Sequence, residues 1–125
     1  MNANREPKKE KDMPYFSIRT AKTVNEPEKL AQKASAFIAD LVGKPESYVM
    51  AAVLPVTAMT FGGSTQPSAF IELKSLGLAE EKCGPVAEKI CAFVQAELGI
   101  EPNRVFIDFP DIQRTRFAWD GKTFG

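Results

Sequence analysis

The chain has 125 residues, of which 44% are apolar, 16 are basic and 16 are acidic, so its formal net charge is zero. A chain of this size suits one globular domain with its own hydrophobic core. The zero net charge gives no basic footprint for nucleic acid or for an anionic membrane surface. The sequence contains no histidine, which excludes Ser-His-Asp and Cys-His catalysis and His-ligated zinc.

The two cysteines, Cys83 and Cys91, bear on the cellular compartment. If they share one helix, they lie about 12 Å apart, beyond the roughly 7 Å that a disulfide spans. Two unpaired thiols fit a reducing compartment. The sequence has no apolar run of transmembrane length, and its first residues lack the hydrophobic block of a signal peptide. It therefore predicts a cytoplasmic protein, with secretion without a signal peptide as the alternative.

Residues 1–13 are polar, mixed in charge and poor in large apolar groups. A segment of this composition cannot bury enough apolar surface to offset the entropy lost on ordering. We therefore predict a disordered charged leader over 1–13 and a single domain over 14–125. A solvated tail without a role and a processed or regulatory leader are equally compatible with the sequence.

The domain opens with an alternating strand and an amphipathic helix. The alternation over 15–19 predicts a strand with one apolar face. Asn25 and Glu28 form a capping-box-like pair, which predicts that a helix starts there. The apolar stripe of that helix consists of Leu30, Ala34, Phe37, Ile38 and Leu41. Gly43 ends the helix, and the apolar run 48–54 predicts a second strand.

The second half of the domain follows the same order. The run 69–76 predicts a third strand, and 105–109 predicts a fourth. The helix between them has an apolar stripe of Val86, Ile90, Phe93, Val94 and Leu98. Because proline is tolerated only in the first turn of a helix, Pro85 predicts that this helix begins close to it.

The two halves resemble each other in detail. LVGKPESYVMAAVLP at 41–55 and LGIEPNRVFIDFP at 98–110 both run from a helix end through glycine and proline into an apolar strand. The sequence therefore predicts an α/β (α+β) fold, in which two tandem β-α-β units form a four-stranded mixed sheet with two helices on one face. The strands are apolar on both faces, and two helices cover only one. This predicts an oligomer whose subunits close over their sheets.

Few residues are left that could carry chemistry. FGGS at 61–64 lacks the strand-turn-helix context and the lysine of a phosphate loop, so a tight loop is the better interpretation. Asp108 lies within an apolar strand, on the same face as Phe106, where an unpaired charge would be costly. A structural ion pair and a pocket carboxylate are equally open for it. Lys44 follows the helix-ending glycine, where a lysine is usually solvated.

Pro14 differs from these residues, because its chemistry depends on what precedes it. As a first residue it is a secondary amine, and apolar surroundings or a neighbouring cation lower the pKa of such an amine towards neutrality. It would then be a good general base at physiological pH. Within a peptide bond to Met13 the same nitrogen is an amide and cannot act as a base.

From Met13 to Gly125 the chain resembles the macrophage migration inhibitory factor family of the tautomerase superfamily. The motifs that carry the resemblance are MP and the following strand at 13–18, GKP at 43–45, SYVM at 47–50, FGGS at 61–64, SLG at 75–77, PNRVFIDF at 102–109 and W-x-G-x-TFG at 119–125. They follow one another in the order found in the family.

This resemblance implies a homotrimer whose sheets enclose a central channel, with three active sites at the subunit interfaces. It implies keto–enol tautomerisation of small enolisable aromatic acids, namely phenylpyruvate-like and dopachrome-like compounds, without a metal or an organic cofactor. A protein receptor is a further partner that the family suggests, whereas nucleic acid and membrane are not expected.

The resemblance also implies roles for residues at the start and middle of the domain. Pro14 matches the family's proton shuttle. Lys44 matches the lysine that holds the substrate carboxylate. Leu76, preceded by Ser75, matches the residue whose backbone amide contacts the substrate.

Other implied site residues come from the second half and from the strand after Pro14. Phe106 and Asp108 fall on the tyrosine and asparagine that the neighbouring subunit supplies. The apolar walls match Tyr15, Phe117 and Trp119. Phe106 lacks the hydroxyl that is usual at its position, as also in the D-dopachrome branch of the family.

Two further departures divide the functional interpretations. The proline is not the first residue of the chain, and the family's Cys-x-x-Cys reads Ser68-Ala69-Phe70-Ile71, so a thiol-oxidoreductase role is not supported. One hypothesis is an enzyme that starts at Pro14. The other is a binding protein with a blocked proline, which keeps the scaffold as a cytokine-like ligand. The sequence favours the enzyme, because packing alone does not explain why the proline, the lysine and the aromatic pocket are kept.

Overall fold

The computed structural model describes residues 13–125, so the predicted leader, apart from Met13, lies outside the described residues. The main helices and strands in chain order are β1 (Tyr15–Thr20), α1 (Pro27–Val42), β2 (Met50–Pro55), β3 (Ala69–Lys74), α2 (Glu80–Leu98) and β4 (Val105–Asp108), followed by two short strands, β5 (Ala118–Trp119) and β6 (Lys122–Thr123).

The four long strands form one mixed sheet in the order β2-β1-β3-β4. β1 pairs with β2 in parallel, and β3 pairs with β4 in parallel. The two central strands, β1 and β3, are antiparallel to each other. Each parallel pair is connected through one helix, so the predicted pair of tandem β-α-β units is confirmed.

The apolar core lies between the two helices and one face of the sheet. Phe16 and Ile18 of β1 are fully buried and pair with Leu73 and Ile71 of β3 on that face. The helix residues buried in the same core are Leu30, Ala34, Ile38, Val86, Ile90, Val94 and Leu98, with Phe37, Leu41 and Phe93 half-buried against it. Full burial of one such side chain contributes about 1.5–3 kcal/mol. Both predicted helix stripes are therefore confirmed.

The opposite face of the sheet has no helix over it in the described part of the chain. Tyr15, Ser17 and Arg19 of β1 alternate with the core residues and so belong to this open face. Met50 and Phe106 on the same face are 66% and 61% exposed. The prediction that both helices cover one face is confirmed, and the open face presents large apolar side chains.

The predicted start of α1 is wrong by one residue. The helix begins at Pro27, its N-cap is Glu26, and no side chain caps it. Because Pro27 occupies the first helical position, where its missing N–H is no loss, Asn25 lies one residue too early to be the cap. Glu28 is then the second helical residue instead of the third, and the capping box does not form. At the other end, Gly43 has a left-handed φ of 69° and ends the helix as predicted.

The expectation that Pro85 lies in the first turn of α2 is also wrong. The helix begins at Glu80, so Pro85 lies inside it. A proline there has no N–H to donate to the carbonyl of Glu81 one turn earlier. The start carries its own local bond, since the N–H of Lys82 donates to the carbonyl of Ala79 at 3.0 Å.

Five predicted strand boundaries shift by one or two residues. β1 ends at Thr20 instead of Arg19, and β2 ends at Pro55 instead of Leu54. A 3₁₀ turn at Glu46–Tyr48 delays β2 to Met50. β3 ends at Lys74 instead of Leu76, and β4 ends at Asp108 instead of Phe109. Over residues 13–125, neither helix has the length and apolarity needed to cross a membrane.

Candidate active site

Three strands meet at one edge of the sheet. β1 and β2 begin there and the antiparallel β3 ends there, because Tyr15 is the register partner of both Met50 and Lys74. The peptide N–H of Met50 donates to the carbonyl oxygen of Pro14 at 3.0 Å. Continuing the β1–β3 register by one residue places Pro14 opposite Ser75. The structure thus brings Pro14, Tyr15 and Ser75 to one sheet edge.

The surroundings of Pro14 at this edge are closed. Pro14 is among the fully buried side chains, Leu76 is 1% exposed and Ser75 is 9% exposed. The Ser75 hydroxyl donates to the carbonyl oxygen of Leu76 at 3.5 Å, which is long for an O–H···O bond. Gly77, with φ of 79°, then turns the chain away from the sheet. A basic amine at this position would be held in apolar surroundings, which disfavour its protonated form.

Lys44 lies at the end of α1, where the chain turns back towards the same edge. Its peptide N–H donates to the carbonyl oxygen of Ala39 at 3.0 Å, next to the left-handed Gly43. The side chain of Lys44 is half-buried. The 3₁₀ turn Glu46–Tyr48 then connects it to the start of β2 at Met50. The segment from Lys44 to Met50 is thus the approach to the edge where Pro14 lies, since the N–H of Met50 bonds to the Pro14 carbonyl oxygen.

The C-terminal hairpin is folded onto this approach. Trp119 contacts Tyr48 edge to face, with ring centroids 6.0 Å apart. Phe117 and Phe124 stack with ring centroids 5.9 Å apart, and the N–H of Phe124 donates to the carbonyl oxygen of Phe117 at 3.1 Å. A two-residue Asp-Gly turn, with φ of 57° and 75°, joins β5 and β6. The hairpin thus holds Trp119 beside the residue that leads into β2.

Phe106 and Asp108 lie elsewhere within one chain. Phe106 pairs with Phe70, which pairs with Arg19, four residues along β1 from Tyr15. That spacing corresponds to about 13 Å along a strand. Asp108 is exposed beside Glu72 on the same open face, and the structure gives it no ion pair with another described residue. The intrachain ion pair proposed for Asp108 is therefore absent from this part of the chain.

The FGGS turn packs against Phe106 through the ring of Phe61. Phe61 and Ser64 exchange two backbone hydrogen bonds of 3.0 and 3.1 Å across Gly62 and Gly63, whose φ angles are 62° and 78°. This is a tight two-residue turn, so the loop interpretation of the motif is confirmed. The ring of Phe61 lies against that of Phe106, with centroids 5.0 Å apart.

Sequence reasoning did not single out Arg104, although it lies within the PNRVFIDF motif. Its guanidinium donates to the carbonyl oxygens of Pro67 at 2.8 Å, Gln66 at 2.9 Å, Ser64 at 3.2 Å and Phe61 at 3.3 Å. No local pattern marks an arginine for such a role, because its partners are some forty residues away along the chain. Lys74 and Arg116 were not singled out either, since neither lies within one of the motifs.

The two thiols lie on α2 and are both free, as predicted. Burial raises the pKa of the Cys91 thiol, so its reactive thiolate is less populated at neutral pH. Between residues 13 and 125, no cluster of three or more cysteine and carboxylate side chains is placed to hold a metal ion.

The fold and the edge proline define an α/β protein with the scaffold of the tautomerase superfamily. A family model described as macrophage migration inhibitory factor (MIF) matches residues 13–125. The chain therefore belongs to the macrophage migration inhibitory factor family, which confirms the resemblance seen in its motifs.

Individual relatives and solved structures agree with this placement. The chain is 43% identical over 115 residues to a macrophage migration inhibitory factor homolog of Brugia malayi, which covers 90% of this chain and 100% of the relative. It is 38% identical to the homolog of Wuchereria bancrofti with the same coverage. The crystal structure of the homologue from Prochlorococcus marinus superposes with a TM-score of 0.81 at 35% identity, covering 89% of this chain and 99% of the other. The domain that begins near Met13 thus spans the whole length of these relatives.

Proposed function

We propose that the protein is a keto–enol tautomerase that acts on phenylpyruvate-like and dopachrome-like compounds through a free Pro14 amine. The observation that carries this proposal is the position of Pro14, whose ring is fully buried at the sheet edge opposite Ser75. Membership of the macrophage migration inhibitory factor family supports the scaffold for this chemistry.

The chemical step requires only one basic nitrogen. The Pro14 amine removes the proton from the carbon beside the substrate carbonyl, and the C–H electron pair forms the carbon–carbon double bond. The carbonyl electrons move to oxygen, which takes the proton back from the Pro14 ammonium and so restores the free amine. A base with a pKa near the working pH is best suited to this shuttle, and the buried position of the ring favours the neutral amine.

The other residues at the edge bind and orient the substrate. The Lys44 ammonium pairs with the substrate carboxylate, which places the acidic C–H bond next to Pro14. The backbone at Leu76, after the buried Ser75, supplies a hydrogen bond to the substrate. Tyr15, Phe117 and Trp119 enclose the aromatic ring and exclude water.

The site is completed by a neighbouring subunit of a homotrimer. Within one chain, Phe106 lies at the far end of the sheet from Pro14 and is 61% exposed. The open sheet face needs a cover, and a second copy of the same face supplies one. Phe106 and Asp108 of that copy would then close the pocket over Pro14.

The test of the catalytic proposal compares the protein that begins at Pro14 with its Pro14→Gly variant. Ketonisation of phenylpyruvate enol is followed by its ultraviolet absorbance. We expect kcat/KM to fall by about 100-fold or more in the variant, because general base catalysis typically contributes that much. Equal turnover in the two proteins would show that the base is another group.

A second candidate function follows from the peptide bond between Met13 and Pro14. In the chain that carries residues 1–13, the Pro14 nitrogen is an amide and has no basic lone pair. Such a protein would keep the trimeric scaffold and act as a cytokine-like ligand for a protein receptor. It would bind its partner without turning over an enolisable acid.

A further inference from the structure

An open cavity of about 460 Å³ adjoins the edge where Pro14 lies. Its walls include Lys74 at the end of β3 and Arg116 in the 3₁₀ turn Arg114–Arg116. Phe117, which was assigned to the substrate pocket, contributes an apolar wall to the same cavity. The cavity therefore joins two basic side chains to the aromatic part of the proposed active site.

Strand register places Lys74 beside Tyr15, on the open face of the sheet. Lys74 is the register partner of Tyr15, the residue that follows Pro14. Directly opposed residues in an antiparallel pair have Cβ atoms about 4.5–5.5 Å apart, and a lysine side chain extends further than that. The ammonium of Lys74 can thus reach an anionic group on a molecule that packs against Tyr15 and Phe117.

The charge of the cavity is not balanced from within. Asp111 is its one lining carboxylate among the described residues, against the two cations. Neither Lys74 nor Arg116 has a side-chain ion pair with another residue of the described chain. Lys74 is half-buried, and a partly desolvated, unpaired cation gains most from an anionic partner.

We propose that Lys74 and Arg116 form an anion subsite, and that the substrate is an enolisable aromatic acid with a second carboxylate. This inference rests on the proposed function, because the first carboxylate is the one held by Lys44. The planar guanidinium of Arg116 matches a carboxylate with two parallel hydrogen bonds. Phe117 packs against the aromatic ring between the two acid groups. Lys74 and Arg116 thereby select dianionic over monoanionic acids.

The experiment measures binding without turnover. The protein that begins at Pro14, which matches the whole length of its relatives, is titrated calorimetrically with cinnamate and with 4-carboxycinnamate. Neither compound has an enolisable carbon, so a failure of catalysis leaves the measurement intact. We expect the dianion to bind about tenfold more tightly, which corresponds to about 1.4 kcal/mol. This preference should shrink as salt is raised from 20 to 300 mM, as for any partly exposed charge pair.

Variants then assign the preference to its residues. Lys74→Met and Arg116→Met should each reduce the ratio of the two affinities to about twofold or less while leaving cinnamate binding nearly unchanged. Asp111→Asn should raise the ratio. Lys89→Met, at an exposed lysine of α2, is the matched control and should keep the full preference.

Equal affinities for the two acids in the unsubstituted protein would overturn the proposal. A preference that survives both Lys74→Met and Arg116→Met would overturn it as well. Arg116 is exposed, so we expect Arg116→Met to fold normally. It therefore tests the subsite even if Lys74→Met lowers the melting temperature.

Discussion

The guanidinium carbon of Arg104 lies 5.3 Å from the ring centroid of Phe61 while the same side chain donates to the Phe61 carbonyl oxygen. One arginine therefore fixes both the backbone and the ring of a residue in the FGGS turn. Because the ring of Phe61 lies against Phe106, this contact also supports the aromatic side chain that is proposed to complete a neighbouring pocket.

We expect Arg104→Met to destabilise the fold by about 2–4 kcal/mol. The substitution removes hydrogen bonds from a charged donor, each of which contributes about 1.5–3 kcal/mol. The carbonyls of Gln66 and Pro67 must then find other partners, whereas those of Phe61 and Ser64 keep their mutual backbone bonds. Urea denaturation measures the change in the free energy of unfolding. Arg116→Met, which removes no side-chain hydrogen bond to a described residue, is the control and should change it by less than about 0.5 kcal/mol.

Arg104→Lys separates stability from positioning. A lysine keeps the charge but cannot direct donors to four carbonyls at once, so the turn should loosen while the fold is kept. We expect KM for an aromatic enolisable acid to rise several-fold with little change in kcat. Packing against the substrate ring stabilises the bound substrate and the transition state equally, so its loss weakens binding alone. A change in melting temperature with an unaltered KM would mean that Arg104 serves the fold alone.

The open sheet face leads to a prediction on assembly. We expect the protein to be a trimer at micromolar concentration, since one face of the sheet has no helix over it in the described chain and presents Met50 and Phe106 to solvent. Met50→Glu places a charge on that face and should shift sedimentation equilibrium towards the mass of a single chain. Ala36→Glu, at an exposed position of α1, should leave the trimer intact. A folded monomer of the unsubstituted protein would contradict the prediction and remove the interface site.

The sequence predicted the arrangement of the core but not the contacts of the loops. The stripes of α1 and α2 and the glycine end of α1 follow from periodicity and backbone freedom, which are local properties. The N-terminus of α1 was misplaced because Pro27 and Asn25 are both good start signals, and proline at the first helical position decides between them. The start of α2 was predicted too close to Pro85, because the buried face of this helix compensates for the one hydrogen bond that proline cannot make.

Candidate site residues divide in the same way. Pro14, Lys74 and Ser75 could be placed at one edge once the strand register was known, whereas Arg104 depends on distant carbonyl partners that no motif identifies. The resemblance assigned Phe106 to a pocket that the single chain does not form. That assignment stays a prediction until the assembly is measured.

Asp108 gives a prediction on catalysis. If Asp108 of a neighbouring subunit closes the pocket, its charge competes with the substrate carboxylate for the Lys44 ammonium. We expect Asp108→Asn to improve kcat/KM for phenylpyruvate by about tenfold, if roughly 1.4 kcal/mol of repulsion is removed. Glu72→Gln, one strand away on the same face, is the comparison for a general loss of negative charge. Unchanged or lower activity in an intact trimer would mean that Asp108 is structural or is itself an acid–base group.

The peptide bond between Met13 and Pro14 leads to the sharpest prediction. We expect the 125-residue chain to be nearly inactive as a tautomerase and the chain that begins at Pro14 to be active. The two proteins differ at the reacting atom, because the same nitrogen is an amide in one and an amine in the other. Met13, which is bonded directly to the Pro14 nitrogen, has a left-handed φ of 45°, an unfavourable conformation for a residue before proline.

The measurement purifies both proteins, verifies their termini by intact mass and assays them with the same enolisable acid at one pH. Binding of 4-carboxycinnamate to each reports whether the leader also obstructs the pocket, which turnover alone does not reveal. If the leader acts only on the nitrogen, the long chain should bind the acid and fail to turn it over. Equal activity in the two proteins, with the leader intact by mass, would contradict the prediction. The base would then be another group, and Asp108 would be the first to test.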